Sequence, residues 1–156
     1  MTTIAYKDGV IAYDSQITSG STITYDDYQK CHEVKGVKFV MCGKTCDYTA
    51  LQDAYFGASV TRDLDTSAIV LDGDGLWYVG ADVQSGFWKS PVRLEASYAI
   101  GSGADHAITA MDMGLTAYQA VEMAAKRDTG TGGTIRTLII NEGMADAKTN
   151  APGVTG

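Results

Sequence analysis

Met1-Thr2-Thr3-Ile4-Ala5-Tyr6-Lys7-Asp8-Gly9-Val10-Ile11-Ala12-Tyr13-Asp14 opens the chain. Thr3 to Tyr6 and Val10 to Tyr13 are short apolar, β-type runs on either side of Lys-Asp-Gly, and Asp-Gly is the preferred pair for a tight hairpin. Such a hairpin brings Asp14 back towards Thr2. An initiator Met is expected to be removed before a small residue. Thr2 would then carry a free α-amine, titrating at roughly 7.7 to 8.0, beside its own hydroxyl. That amine can serve as the base for that nucleophile. With Met1 in place the nitrogen is an amide and has no such basicity.

Working outward, 156 residues are enough for one domain with a two-sided core. The formal charge of −7, with Lys and Arg spread along the chain, argues against a nucleic-acid partner. No apolar run reaches the roughly 18 to 20 residues of a membrane span, and the N-terminus lacks the pattern of a signal peptide. Three cysteines, Cys31, Cys42 and Cys46, make an odd count. They read as reduced, buried thiols of a cytoplasmic protein rather than as a metal site. His32 and His106 are the only histidines, too few to support a zinc site or a histidine-based triad.

Ser15 to Ser21 reads as a loop or irregular strand, and Thr22–Tyr25 and Tyr28–Val34 as strands, with Lys30 near the middle of the second. Lys35-Gly36 is a turn into a buried strand over Val37–Cys42, which Gly43-Lys44-Thr45 ends. Thr45 can cap a helix from about Cys46 to Gly57, with Tyr48, Leu51 and Tyr55 on one face. Asp72-Gly73-Asp74-Gly75 marks a second hairpin between Ser67–Leu71 and Leu76–Val79, and Gly86–Ser90 is a strand stopped by Pro91. Tyr98 to Gly103 is a strand ending in a glycine turn that launches a helix over Asp105–Met113. A second helix over Ala117–Arg127 has Thr116 as its cap and Ala120, Met123 and Ala124 as its apolar stripe. A Gly/Thr loop leads to a last strand over Thr134–Ile140. From Asn141 the composition is small and polar, a short strand extension or a loose tail, with 144–156 the loosest part. Residues 1–156 form a single α+β domain of antiparallel hairpins with segregated helices.

Six segments in order carry a resemblance: Thr2-Thr3-Ile4, Val10 to Gln16, Lys30, Met41-Cys42-Gly43, Tyr98 to Gly103 and Arg127 to Gly133. In these the chain resembles proteasome β subunits and the related bacterial peptidase HslV, which are N-terminal-nucleophile hydrolases. The resemblance implies a four-layer αββα sandwich. It implies Thr2 as nucleophile with its amine as proton acceptor, Asp14 orienting Lys30, and Lys30 lowering the pKa of the amine. It also implies the Gly43 N–H as oxyanion donor, and Ser102, Asp128 and Thr131 as the network around the amine. In some relatives main-chain carbonyls matching Ala125, Asp128 and Thr131 bind a cation. No cofactor is required by this chemistry.

Two departures stand out. The segment between Gly43 and Ser67 is shorter than in these relatives, so the first helical segment is shortened, which bears on ring geometry and on contacts with an unfolding ATPase. The other departure is Met1. The expected activity is that of a threonine peptidase cleaving peptides or unfolded proteins within a homo-oligomeric ring. The alternatives are a non-catalytic structural or assembly protein on the same fold, and an amidase acting on a small molecule.

Overall fold

The computed structural model describes residues 1–140, so the expected tail from Asn141 lies outside the described residues. Strands β1 (Thr3–Lys7) and β2 (Val10–Tyr13) form the first hairpin, with Ile4 opposite Tyr13 and Ala5 opposite Ala12. Its turn takes Asp8 at φ 51° and Gly9 at φ 82°, the paired positive values that Asp-Gly tolerates and other pairs resist. A short ribbon follows, β3 (Ile17–Ser19) and β4 (Thr22–Tyr25). Then come β5 (Cys31–Val34), β6 (Val37–Gly43), a 3-10 turn over Thr45–Asp47 and helix α1 (Tyr48–Tyr55). Strands β7 (Thr66–Asp72), β8 (Gly75–Asp82), β9 (Gly86–Pro91) and β10 (Tyr98–Gly101) precede helices α2 (Ala104–Asp112) and α3 (Ala117–Arg127). Strand β11 (Arg136–Ile139) completes the described chain.

Two antiparallel sheets result, ordered β10-β1-β2-β11 and β5-β6-β7-β8-β9, with β3-β4 a ribbon hydrogen-bonded to neither. Alternation along β1 explains what each face meets. Ile4 and Tyr6 join Ile11 and Tyr13 against Val40, Cys42, Ile69, Leu71 and Leu76 of the second sheet. Ala5 and Ala12 face the other way, and their small side chains let α2 and α3 approach through Ala107, Ala110, Met111, Ala117, Ala120 and Val121. The far face of the second sheet, with Phe39, Met41, Ala68, Val70 and Val79, is covered by Tyr48 and Leu51 of α1. Thr2 stands two residues before Ile4, so alternation turns it towards the second sheet. Thr3 shares the helix-facing side with Ala5.

Several expectations are corrected. Lys30 does not lie within a strand; it ends an irregular segment just before β5. Thr45 does not cap α1 through its side chain. The helix starts three residues later, and the carboxylate best placed to cap it, Asp47, is drawn off by Asp65 N–H and by Arg62, both at 2.8 Å. The helix stops at Tyr55, with Phe56 as its cap and Gly57 following at φ 105°. Met123 is exposed, and Val121 takes its place in the buried stripe of α3 beside Ala117, Ala120 and Ala124. Pro91 continues β9 instead of ending it, which an edge strand permits. The last strand is shorter than Thr134–Ile140 and begins at Arg136, because Thr134 N–H is spent on the Asp26 carbonyl. Of the three free thiols only Cys42 is buried; Cys31 is half-buried and Cys46 exposed. Helix α3 does start as the sequence predicts, with a reciprocal capping box between Thr116 and Gln119.

Candidate active site

The first hairpin carries Thr2 and Asp14 to one end of the two sheets, where Lys30 meets both. Lys30 Nζ donates to Thr2 Oγ1 at 2.8 Å and to Asp14 Oδ1 at 2.8 Å. Lys30 and Asp14 are fully buried, and Thr2 is 1% exposed. A buried ion pair needs its remaining polar valences filled. Asp14 meets this condition: Oδ1 also accepts from Thr3 N–H at 3.2 Å, and Oδ2 accepts from Gly132 N–H at 3.0 Å. Burial pushes the Lys30 ammonium below its ordinary pKa, and the Asp14 carboxylate beside it works against that shift.

A second network surrounds the Thr2 nitrogen. Asp128 Oδ2 accepts from Ser102 Oγ at 2.6 Å and from Thr131 Oγ1 at 2.6 Å, and Asp128 Oδ1 accepts from Gly130 N–H at 3.2 Å. Burial pushes the Asp128 carboxyl up, and these donors outweigh it and hold the pKa below the usual range. With its proton committed to Asp128, Ser102 Oγ is left as an acceptor, and Thr2 N–H donates to it at 3.3 Å. Thr131 Oγ1 likewise accepts from Thr3 Oγ1 at 2.6 Å. Ser102 does not cap α2, which starts after Gly103 with no side-chain cap.

Gly43, at the end of β6, borders a cleft of about 560 Å³ shared with Met1, Ser102, Cys42 and Cys46. Gly43 has φ 106°, and a Cβ there would stand 2.5 Å from the Asp65 carbonyl, so no other residue fits. Met1 is 58% exposed and lies over Thr2. Its carbonyl accepts from Thr2 Oγ1 at 2.5 Å and from Lys30 Nζ at 3.4 Å.

The structure therefore brings together Thr2, Asp14, Lys30, Ser102, Asp128 and Thr131, with Gly43 on the adjoining cleft. Sequence reasoning missed Thr3 and the Gly132 N–H. Strand alternation signals Thr3, because it faces the side opposite to Thr2. Gly132 contributes through its main chain, which no side-chain pattern reveals. For a cation on the carbonyls of Ala125, Asp128 and Thr131, the donor set is chemically suitable: neutral oxygens near the C-terminus of α3. One of them, the Asp128 carbonyl, already accepts from Thr131 N–H at 3.2 Å and keeps one lone pair. Among the described residues no three His, Cys, Asp or Glu side chains are grouped to hold a metal.

No protein-family model matches the chain, and no curated protein sequence matches it at a significant level. Solved structures do match. BPH of Thiobacillus denitrificans in complex with epoxomicin superposes with a TM-score of 0.64 at 17% identity, covering 88% of this chain and 96% of that one. HslV of Trypanosoma brucei gives a TM-score of 0.65 at 18% identity, covering 88% and 97%. The fold of this chain is thus that of HslV and BPH, the proteasome-type N-terminal-nucleophile hydrolase fold.

Proposed function

We propose that the chain is a threonine-type peptidase whose nucleophile is Thr2 once Met1 is removed. The observation that carries this reading is the buried Lys30 ammonium 2.8 Å from Thr2 Oγ1, held by an Asp14 whose other contacts are filled. Thr2 Oγ attacks the substrate carbonyl carbon, and its proton passes to the Thr2 amine. The positive charge of Lys30 lowers the pKa of that amine, which keeps it unprotonated near neutrality. Ser102, fixed as an acceptor by Asp128, takes an N–H of the amine and turns its lone pair towards Oγ. The Gly43 N–H receives the oxyanion, a contribution on the order of 3 kcal/mol when the donor is well placed. The C–N bond then breaks, the amine proton leaves with the departing amine, and water hydrolyses the ester on Thr2 to release the acid and restore the hydroxyl.

In this reading the fold is a four-layer αββα sandwich with a shortened first helical segment, and the chain works inside a homo-oligomeric ring on peptides or unfolded protein. An unfolding ATPase is the partner such a chamber would need. Three free thiols agree with a cytoplasmic setting, and no helix among the described residues is long and apolar enough to cross a membrane. A cation on the carbonyls of Ala125, Asp128 and Thr131 would brace the loop that carries Asp128 and supply no step of the reaction.

Retention of Met1 would support a second reading, a non-catalytic assembly protein. With Met1 in place Thr2 is closed off, its nitrogen is an amide, and the Met1 carbonyl takes the Thr2 hydroxyl proton and a Lys30 N–H. Intact mass spectrometry before and after exposure to an epoxyketone separates the two. Loss of Met1 with one adduct on Thr2, abolished in a folded Thr2→Ala variant, supports the peptidase. Retained Met1 without an adduct supports the assembly protein.

A further inference from the structure

Lys30 is delivered by a segment, Asp26 to Gln29, that belongs to neither sheet. Its ammonium is nonetheless fixed in a fully buried position. Three consecutive carbonyls of this segment are held from the far edge of the first sheet. Thr134 N–H donates to the Asp26 carbonyl at 3.1 Å. Arg136 Nη2 donates to the Asp27 carbonyl at 3.0 Å, and Nη1 donates to the Tyr28 carbonyl at 3.2 Å and to Ser15 Oγ. Ser15 closes the arrangement. Its carbonyl accepts from Tyr28 N–H at 3.0 Å, its own N–H donates to the Gly132 carbonyl at 3.1 Å, and its hydroxyl donates to the Thr134 carbonyl.

Arg136 is half-buried, and among the described residues it makes no ion pair with a carboxylate. Its guanidinium is given to neutral acceptors, a use that depends on the planar fork rather than on charge pairing. We propose that Arg136 is a positioning residue for Lys30, clamping the Asp27 and Tyr28 carbonyls and the Ser15 hydroxyl so that the ammonium is held beside Thr2. This rests on the peptidase reading above. The other end of the segment has its own anchor, because Gln29 Oε1 accepts from Tyr13 hydroxyl at 2.8 Å and from Cys31 N–H at 3.0 Å. Losing the fork therefore loosens the segment without undocking β5.

The charged and titratable groups around Thr2 are Lys30, Asp14 and Asp128 through Ser102, and the Cys42 thiol lines the adjoining cleft. Of these, Lys30 directly follows the segment that Arg136 holds; Asp14 precedes Ser15, which Arg136 also contacts but which keeps its own main-chain anchors to Gly132 and Tyr28. If the ammonium drifts from Thr2, the amine loses a neighbouring positive charge and its pKa rises.

The test uses protein with Met1 removed, comparing wild type, Arg136→Ala and Arg136→Lys. The amine is titrated through the Thr2 methyl resonance of methyl-labelled threonine, and peptide turnover is followed against pH. Arg136→Ala is expected to lower kcat about a hundredfold with KM little changed. The Thr2 titration and the acid limb of the rate profile should move to higher pH together. Arg136→Lys, whose single ammonium lacks the planar fork that spans the Asp27 and Tyr28 carbonyls, should fall between, and millimolar guanidinium should recover part of the kcat of Arg136→Ala. A Thr2 titration identical to wild type in both variants overturns the proposal. Should Arg136→Ala not fold, Arg136→Lys alone decides by the same criterion. Absence of turnover and adduct in wild type sinks the peptidase reading, while the Thr2 titration still decides whether Arg136 positions Lys30.

Discussion

Gly101 is where a single methyl group should separate the scaffold from the site. It ends β10 opposite Thr3, with φ 100°. A Cβ built there would stand 1.9 Å from the Thr2 carbonyl oxygen and 2.7 Å from its carbon, where real Cβ atoms essentially never come under 3.0 Å. The Thr2 backbone in Gly101→Ala therefore has to retreat by about 1 Å, and a misplacement of this size costs on the order of a hundredfold in rate. It also pulls Thr2 from Lys30 and from Ser102, at 2.8 and 3.3 Å. The left-handed conformation itself costs about 1 to 2 kcal/mol once a Cβ is present. Gly114 supplies the control, since it has the same φ of 100° and nothing within 4 Å of its Cβ position. Gly114→Ala should lose that strain energy alone and keep its turnover. Gly101→Ala should lose roughly 3 kcal/mol in all and about a hundredfold in turnover, measured at a temperature where both variants are folded. On the peptidase reading, urea denaturation and the rate of epoxyketone labelling and turnover give the two readouts. A Gly101→Ala protein that labels and turns over like Gly114→Ala would refute the placement of Thr2.

The remaining predictions concern charge. Lys30→Met keeps the stem but leaves Asp14 buried against only two main-chain donors, so it should cost about 3 to 5 kcal/mol. Adding Asp14→Asn should return most of that stability by urea denaturation and none of the turnover; a double variant no more stable than the single would show that the pair is not coupled. At the β7–β8 hairpin, burial pushes Asp72 up, but Tyr55, Lys89, the Asp74 N–H and Trp77 outweigh it and hold the carboxyl at about 2. A folded pKa below the unfolded value of about 3.9 stabilises the protein above that value. Stability should therefore fall as pH drops from about 4 to 2, with on the order of 1 to 2 kcal/mol belonging to this group after allowance for solvent screening. Asp72→Asn should flatten that part of the stability curve, and an unchanged slope would assign the acid loss elsewhere.

Much of this was legible in the sequence wherever a local rule had no competitor. Asp8-Gly9 and Asp72 to Gly75 make the hairpins their turn chemistry predicts, and Thr116 caps α3 because no other group claims its hydroxyl. Thr45 failed as a cap because the chain first makes a 3-10 turn over Thr45–Asp47, and Asp47, which then stands at the cap position, is tied to Arg62 and Asp65, contacts 15 and 18 residues away that periodicity cannot show. Met123 misled for a related reason: a helical stripe gives a face but not its centre, and small alanines at 117, 120 and 124 with Val121 let α3 sit closer to β1 and β2 than a methionine would allow. The site residues were named by family resemblance, and their alternation on β1 supports the same placement. Sheet order brought Asp128 and Thr131 to Thr2 from more than a hundred residues away, and nothing in a local window fixes that. Arg136 escaped notice because two of its three partners are carbonyls, which every residue has.

Met1 tests how far the site depends on processing. Its carbonyl touches Thr2 Oγ1 and Lys30, yet no contact that fixes the surrounding groups runs through it. Asp14 is held by Thr3 and Gly132, Ser102 by Asp128, and Asp128 by Thr131 and Gly130. Removing Met1 therefore asks no side chain of the network to move. It converts an amide into an amine at a nitrogen already directed at Ser102 Oγ, uncovers a hydroxyl that is otherwise almost wholly buried, and frees the Thr2 hydroxyl proton, now given to the Met1 carbonyl, to pass to that amine. On the peptidase reading, activity is then governed by one peptide bond: a preparation should label with an epoxyketone in proportion to its Met1-free fraction. Labelling that does not track that fraction would mean that something other than the Thr2 amine activates the hydroxyl.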